Sequence, residues 1–148
     1  MRKFEMVSTF KALEPNLPQR QTMHSAGYDL ASIEAVTIHP GEIVMIKTGL
    51  KVKIPEHEAL FVYPRSSLGI KKGLMMSNGV GVVDADYYNN DHNEGHIMVP
   101  LFNFSQKPAM IAKGERVAQG IFQPYYKTSD DEPVDQIREG GFGSSTKA

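Results

Sequence analysis

Two aspartates follow a short apolar run in the stretch GVVDADY, which spans residues 81–87. Asp84 comes directly after two valines, and Asp86 stands two positions further on. A carboxylate is ionised at neutral pH and can accept a proton from water during a hydrolysis, so either residue is a candidate general base. One aspartate could face a site while the other stabilises the turn, so we do not expect the two to share a proton. Two residues that end a strand in an Asx turn would have the same spacing, so this motif leaves both interpretations open.

Cations and hydroxyls dominate the stretch PRSSLGIKKG, residues 64–73, which contains three cations, two serines and no acid. The guanidinium of Arg65 suits a bidentate phosphate contact, and Ser66 and Ser67 add donors at the start of a short helix predicted over Ser66–Lys72. A solvated basic turn would have the same composition, and the stretch alone does not decide between the two.

The C-terminal stretch GGFGSST, residues 140–146, resembles a phosphate-binding glycine loop in composition. It has no Walker lysine in register, no strand before it and no helix after it, which excludes a P-loop. From residue 128 onward the apolar content is low, as in a flexible tail. Arg138 and Phe142 in that tail suit contacts with a phosphate and with an aromatic base.

The stretch DHNEGH, residues 91–96, places His92 and His96 four positions apart, as for two metal ligands on a helix. The preceding Asn-Asn-Asp run and Gly95 argue against a helix, so we predict a polar surface loop without a metal.

The elements that must position these residues are short strands separated by turns of glycine and proline. Strands arriving every eight to twelve residues are typical of an all-β sandwich, jelly roll or barrel. The predicted strands are Val36–Ile38, Glu42–Ile46, Leu50–Ile54, Ala59–Tyr63, Gly81–Val83, His96–Phe104, Lys107–Ile111 and Arg116–Phe122.

Composition sets the class of protein. The 148 residues are 41% hydrophobic and 22% charged, with a formal net charge of −1 and no cysteine. A global field that would attract nucleic acid or an anionic membrane is therefore excluded, and so is thiol chemistry. The N-terminus lacks the apolar run of a signal peptide. We expect one soluble cytoplasmic domain.

Five segments in order resemble the motifs of the trimeric dUTP pyrophosphatases (dUTPases). The resemblance covers about residues 24–146, nearly the whole chain. The segments are AGYDL (26–30), PRSSLG (64–69), NGVGVVDADY (78–87), GERVAQGIF (114–122) and REGGFGSST (138–146).

The resemblance implies an all-β fold, a jelly-roll-like distorted β-barrel with one short helix and a flexible C-terminal arm. Residues 1–127 would form the β domain, and residues 128–148 would close the active site of a neighbouring subunit in a homotrimer. The implied reaction is hydrolysis of dUTP to dUMP and pyrophosphate with Mg²⁺ on the triphosphate, which limits uracil in DNA and supplies dUMP for thymidylate synthesis.

The resemblance also implies roles around the nucleoside. Asp84 would activate the water that attacks the α-phosphorus, and Tyr87 would pack against the deoxyribose and exclude a ribose hydroxyl. Uracil would be recognised in a tight hairpin pocket by Asn78, Val82, Val83 and Met98.

For the phosphates, the implied contacts come from Arg65, Ser66, Ser67 and Gln119. Asp29 would be an outer-shell partner of Mg²⁺ through water. The arm would contribute Arg138, Phe142, Gly143 and Ser144.

One departure from the family pattern is an insertion after Tyr87, where the compact pattern has a glycine two residues on. The next glycine is Gly95, and Asn89 or Asn90 can supply the left-handed conformation instead. The 88–94 loop is also the natural surface for a regulatory protein partner.

A dCTP deaminase shares the implied fold, but its catalytic glutamate has no counterpart in residues 96–104, where no acid occurs.

Overall fold

A computed structural model of the chain describes residues 1–134. Within them the elements are mostly strands. The strands are β1 (Lys3–Met6), β2 (Tyr28–Ala31), β3 (Val36–Ile38), β4 (Ile43–Lys47), β5 (Leu50–Lys53), β6 (Glu58–Pro64), β7 (Leu74–Met76), β8 (Gly81–Val83), β9 (Met98–Asn103), β10 (Ala109–Ile111) and β11 (Arg116–Pro124). The helix α1 spans Ser66–Lys72, and 3₁₀ turns span Ser8–Leu13 and Ala85–Tyr87.

Within residues 1–134 all seven strand pairs are antiparallel, and they form four sheets. The largest sheet has the order β2-β11-β6-β8, and a second has the order β4-β9-β7. Two-stranded ladders join β1 to β5 and β10 to β3. The all-β prediction with one short helix is confirmed, whereas residues 1–134 contain no single closed barrel.

The core forms because alternate side chains of these strands point inward. Leu60 and Val62 on β6, Val99 and Leu101 on β9, and Ile46 on β4 are each at most 3% exposed. The alternation therefore fixes which face of each strand packs against the other sheet, and it leaves the opposite positions for turns and sites.

Helix α1 connects the two larger sheets and begins where β6 ends. Arg65 is extended at φ −85° and precedes the first helical residue. Gly73 ends the helix in the left-handed conformation at φ +65°, and its N–H donates to the carbonyl of Gly69. A Cβ at this position would be strained and would lie 2.6 Å from that of Ser105, so glycine suits the C-cap. Lys71 and Lys72 lie in the last turn, where cations oppose the helix dipole favourably.

No helix in residues 1–134 has the length and apolar character needed to cross a membrane.

Candidate active site

A cavity of about 170 Å³ lies beside β8, and we call it the β8 pocket. Six of the residues predicted from the sequence line it together: Asn78, Val82, Val83, Asp84, Tyr87 and Met98. Four further lining residues were not predicted: Val62, Met76, Gly81 and Ile97. The sequence indicates such residues only through the alternation of strands, because a buried apolar residue does not by itself predict a pocket.

The pocket lies at a junction of two sheets, because β8 pairs with β6 whereas β7 pairs with β9. The prediction of a hairpin pocket was wrong in this respect. A tight turn makes the junction: Gly79 is left-handed at φ +72°, and its N–H donates to the carbonyl of Met76 at 3.1 Å. At Gly81, an added Cβ would lie 3.3 Å from the Cβ of Val62 and 3.5 Å from Nδ2 of Asn78. Glycine therefore keeps Asn78 close to the strand.

Asp84 directly follows Val83, the last residue of β8, and is half-buried at the pocket. Its backbone is extended, at φ −80° and ψ 157°, and the 3₁₀ turn Ala85–Tyr87 follows at once. Asp86 lies in that turn and is exposed. Alternation along a strand would not separate the two aspartates, because residues two positions apart share a face, and the strand ends at Val83. The 3₁₀ turn takes Asp86 out of the strand geometry.

Tyr87 forms a buried wall of the pocket and is 4% exposed. Its hydroxyl donates to the carbonyl of His96 at 2.6 Å and accepts a hydrogen bond from Nδ2 of Asn93 at 2.8 Å. Both partners belong to the loop that follows the tyrosine. The ring is therefore held from behind while its face lines the cavity.

Three further predicted residues meet one unpredicted arginine at the edge of the four-stranded sheet, and we call the group the arginine cluster: Asp29, Arg65, Gln119 and Arg116. Asp29 on β2 lies 3.5 Å from Nε of Arg65 and 3.4 Å from Nη1 of Arg116. Arg116 was not predicted, although it stands in the same GERVAQG motif as Gln119. Two guanidinium groups on one carboxylate can receive an anion while the carboxylate keeps them in place.

Gln119 joins the cluster through the sheet register, since it is the β11 partner of Asp29. Its Nε2 donates to the carbonyl of Pro64 at 3.3 Å. A Cβ at Gly27 would lie 2.4 Å from Oε1 of Gln119, so glycine leaves room for this side chain. Ser66 and Ser67 follow as the first two residues of α1.

The register separates the arginine cluster from the β8 pocket within one chain. Gln119 on β11 pairs with Tyr63 on β6, and Val83 on β8 pairs with Leu60 on β6. Asp84 follows Val83, so it lies one residue further from the level of Tyr63 than Leu60 does. Three strand spacings and four residues separate Asp29 from Asp84, which amounts to roughly 20 Å along the sheet. One chain therefore holds two half-sites that are far apart.

Metal ligands do not cluster in the part of the chain that the structure describes: no three His, Cys, Asp or Glu side chains there could hold an ion together. The carboxylate of Asp29 is already in contact with two arginines. This arrangement does not suit an ion that is held by protein side chains. It suits an ion such as Mg²⁺, whose ligands are mainly substrate phosphates and water.

The loop after Tyr87 is more ordered than a solvated polar loop. Asn89 is left-handed at φ +56°, which confirms the conformation predicted for Asn89 or Asn90. Asn90 and His96 are buried, at 8% and 6% exposure, whereas Asp91 and His92 are exposed. The prediction of a polar surface loop therefore holds only for its tip.

His96 is buried as a hydrogen-bond acceptor, because its Nε2 accepts the N–H of Gly49 at 2.9 Å. Burial, and secondly the nearby charge of Lys47, lower the pKa of the imidazole to about 4. A neutral imidazole with this partner is a structural element of the loop.

Four predicted site residues, Arg138, Phe142, Gly143 and Ser144, lie outside the described residues.

Comparison with known proteins gives one consistent family. The sequence profile described as dUTPase matches residues 14–146. A deoxyuridine 5'-triphosphate nucleotidohydrolase of Lactococcus lactis is 48% identical over 146 residues, which cover 98% of this chain and 97% of the relative. A deoxyuridine 5'-triphosphate nucleotidohydrolase of Desulfitobacterium hafniense is 40% identical over 152 residues, which cover 97% of this chain and 95% of the relative. The crystal structure of dUTPase from Streptococcus mutans superposes with a TM-score of 0.81 at 43% identity, covering 85% of this chain and 98% of that one.

Proposed function

We propose that this chain, which belongs to the dUTPase family, hydrolyses dUTP to dUMP and pyrophosphate. The observation that carries the proposal is the β8 pocket, where six residues chosen from the sequence line one cavity. The pocket is apolar on most sides and offers a carboxylate and an amide. A pyrimidine with a reactive phosphate beyond it matches that combination.

Asp84 is the general base of the proposed reaction. It directly follows the rigid strand β8 and is half-buried at the pocket edge. Its carboxylate would accept the proton of a water molecule as that water attacks the α-phosphorus, and pyrophosphate would leave. A base positioned at the end of a strand needs no reorganisation during the step, which favours catalysis.

Uracil would enter the β8 pocket between Asn78, Val82, Val83 and Met98. The narrow space beside Gly81 would exclude the methyl group of thymine, and cytosine would leave donors and acceptors unpaired. The buried ring of Tyr87 would pack against the deoxyribose, where a 2′-hydroxyl would collide with it.

The arginine cluster, with Ser66 and Ser67, would bind the phosphates. Arg65 and Arg116 are already oriented by Asp29, and Gln119 adds an amide donor. Magnesium bound to the triphosphate would neutralise part of its charge, and Asp29 would contact that ion through water.

A homotrimer with shared active sites explains how two half-sites about 20 Å apart can act on one nucleotide. The β8 pocket of one subunit would lie beside the arginine cluster of the next. We place the β domain at residues 1–127 and assign residues 128–148 to an arm that closes a neighbouring site with Arg138, Phe142, Gly143 and Ser144. The cytoplasmic location stays a prediction from the sequence.

The structure gives little support to the two alternative functions, which are a dCTP deaminase and a dUTPase that also binds a regulatory protein. Strand β9, Met98–Asn103, carries no acid that could serve a dCTP deaminase. A regulatory partner at the 88–94 loop would find Asp91 and His92 exposed, while Asn90 is buried in contacts with its own chain. We therefore give the loop a structural role first.

The deciding experiment measures pyrophosphate release from dUTP, dCTP, dTTP and UTP, together with ammonia release from dCTP. We expect pyrophosphate from dUTP far above the other three and no ammonia. Ammonia from dCTP, or equal rates on dUTP and UTP, would contradict the proposal.

A further inference from the structure

The loop that follows Tyr87 contains a chain of side-chain hydrogen bonds whose direction can be worked out. Oδ1 of Asn90 accepts the backbone N–H groups of His92 and Asn93, at 3.0 and 3.1 Å. Because a backbone N–H can only donate, this oxygen is identified, and the NH₂ group of Asn90 must be on the other side. That group donates to the carbonyl of Tyr87 at 2.7 Å and to Oδ1 of Asn93 at 2.8 Å.

Asn93 is oriented by the same logic. Its Oδ1 accepts the N–H of Gly95 at 3.0 Å as well as the NH₂ group of Asn90. Its Nδ2 therefore faces the hydroxyl of Tyr87 as a donor, at 2.8 Å. The hydroxyl must then direct its own proton to the carbonyl of His96, 2.6 Å away. Two backbone carbonyls and two amides thus fix the rotation of one phenol ring.

The outer side of the loop is attached to the rest of the chain. Lys51 donates to Oδ1 of Asn89 at 2.6 Å and to Glu94 at 2.8 Å. The N–H of Ser8 donates to Glu94 at 2.9 Å. The ring of Phe10 lies 4.6 Å from that of His96. These contacts hold the loop in place, so the amide of Asn93 meets the tyrosine from a fixed position.

From this geometry we infer that Asn93 is a positioning residue that sets the sugar selectivity of the β8 pocket. The inference rests on the proposed function, because it concerns the sugar of the proposed substrate. Tyr87 offers the pocket its ring, and its hydroxyl is used behind the ring by Asn93 and His96. A ring that cannot tilt leaves no room for an extra hydroxyl, whereas a ring released at its far end could move aside.

The test compares kcat/KM for dUTP and UTP in four variants. Asn93→Ala removes the donor, and Tyr87→Phe removes the hydroxyl while keeping the ring. The double variant asks whether the two act through one contact. His92→Ala is the matched control, since His92 is exposed at the tip of the same loop and its backbone N–H, which bonds Oδ1 of Asn90, is kept.

We expect Asn93→Ala and Tyr87→Phe each to lower the dUTP/UTP ratio by about ten-fold, a change typical of altered steric discrimination. The rate on UTP accounts for most of the change, and kcat on dUTP falls much less. Adding Asn93→Ala to Tyr87→Phe causes no further fall, and His92→Ala keeps the wild-type ratio.

Three outcomes would overturn the inference: an unchanged ratio in either single variant, an independent further fall in the double variant, or an equal fall in the control. If Asn93→Ala does not fold, Tyr87→Phe decides alone, because an unchanged ratio there contradicts the inference. Failure of the proposed function would look different, since the wild-type protein would then show no preference for dUTP.

Discussion

The β8 pocket and the arginine cluster differ in burial and in charge. The pocket is mostly apolar, and three of its lining residues, Met76, Val83 and Ile97, are buried. The cluster is open: the side chains of Arg65 and Arg116 are 29% and 44% exposed, and both contact Asp29 at about the same distance. One region presents a mostly apolar surface to a ligand, and the other presents partly exposed charges.

This difference follows from the chemistry that each region must perform. Discrimination between similar bases depends on shape and on unpaired polar groups, both of which need a rigid, dry surface. Binding of a triphosphate depends on charge, and partly exposed arginines avoid the cost of burying cations without a partner. A single carboxylate, Asp29, keeps two guanidinium groups in place at small cost to stability. In the proposed mechanism the pocket therefore supplies specificity for the base, and the cluster supplies the attraction for the phosphates.

The largest expected effect is on the catalytic side of the pocket. Asp84→Asn removes the base but keeps the size of the side chain, so we expect kcat to fall by roughly 10²–10⁴ while dUTP still binds. Pyrophosphate release measures kcat, and calorimetry with a non-hydrolysable dUTP analogue measures binding. Asp86→Asn is the control, because Asp86 is exposed in the 3₁₀ turn. A variant at Asp84 with near wild-type kcat would show that the base is elsewhere.

A mixing experiment tests whether the two regions act together only across subunits. Asp84→Asn spoils the pocket, and Arg65→Ala spoils the cluster, so each protein alone should be nearly inactive. If a site combines two chains, random trimers refolded from equal amounts contain an intact pair at about a quarter of their sites. Steady-state assays of the mixture should then recover about that share of wild-type activity. Mixed trimers, identified by mass spectrometry, that stay inactive would mean that both regions serve the site within one chain.

Much of the fold was predictable, because turn residues and alternation mark element ends directly. The bounds of β3, β8 and α1 were predicted to the residue. Strands β1, β2 and β7 were missed, since three or four residues without clear alternation carry too little periodic signal. Their strand state depends on partners far along the chain, as in the pairing of β2 with β11.

The composition of the site was predictable from its motifs, and its division was not. Most residues of the two regions were named from the sequence, although Arg116 and four lining residues of the pocket were not. The register that places Asp29 and Asp84 about 20 Å apart is a property of the folded sheet. The hydrogen bond from Asn93 to Tyr87 was also not predictable, because a sequence rich in asparagine predicts a solvated loop. Sequence patterns report faces and turns, whereas such contacts depend on tertiary packing.

Two matched glycine substitutions should separate the regions by ligand. In Gly81→Ala the new methyl group would approach Val62 and Asn78 in the pocket, and in Gly27→Ala it would displace the end of Gln119 in the cluster. We expect Gly81→Ala to weaken inhibition by deoxyuridine and Gly27→Ala to weaken inhibition by pyrophosphate, each by about three- to ten-fold. Competitive inhibition constants for both ligands measure the effect. Equal losses for both ligands in either variant would mean that the regions are not independent.

The smallest expected effect is on the stability of the fold in acid. It comes from His96, in the loop behind the β8 pocket, and does not involve the arginine cluster. The pKa of His96 is lowered to about 4 by burial and by Lys47, whereas an unfolded histidine titrates near 6.5. Between these values the unfolded chain binds the extra proton, so this contribution to stability is complete above about pH 6.5 and is lost as the pH falls towards 4. The shift corresponds to at most roughly 3 kcal/mol. Urea unfolding at pH 7 and pH 4.5 should therefore show a smaller pH-dependent loss in His96→Gln than in the wild-type protein. His24→Gln, at an exposed position, should keep the full loss. If His96→Gln loses as much stability in acid as the wild type, the acid sensitivity does not come from the loop behind Tyr87.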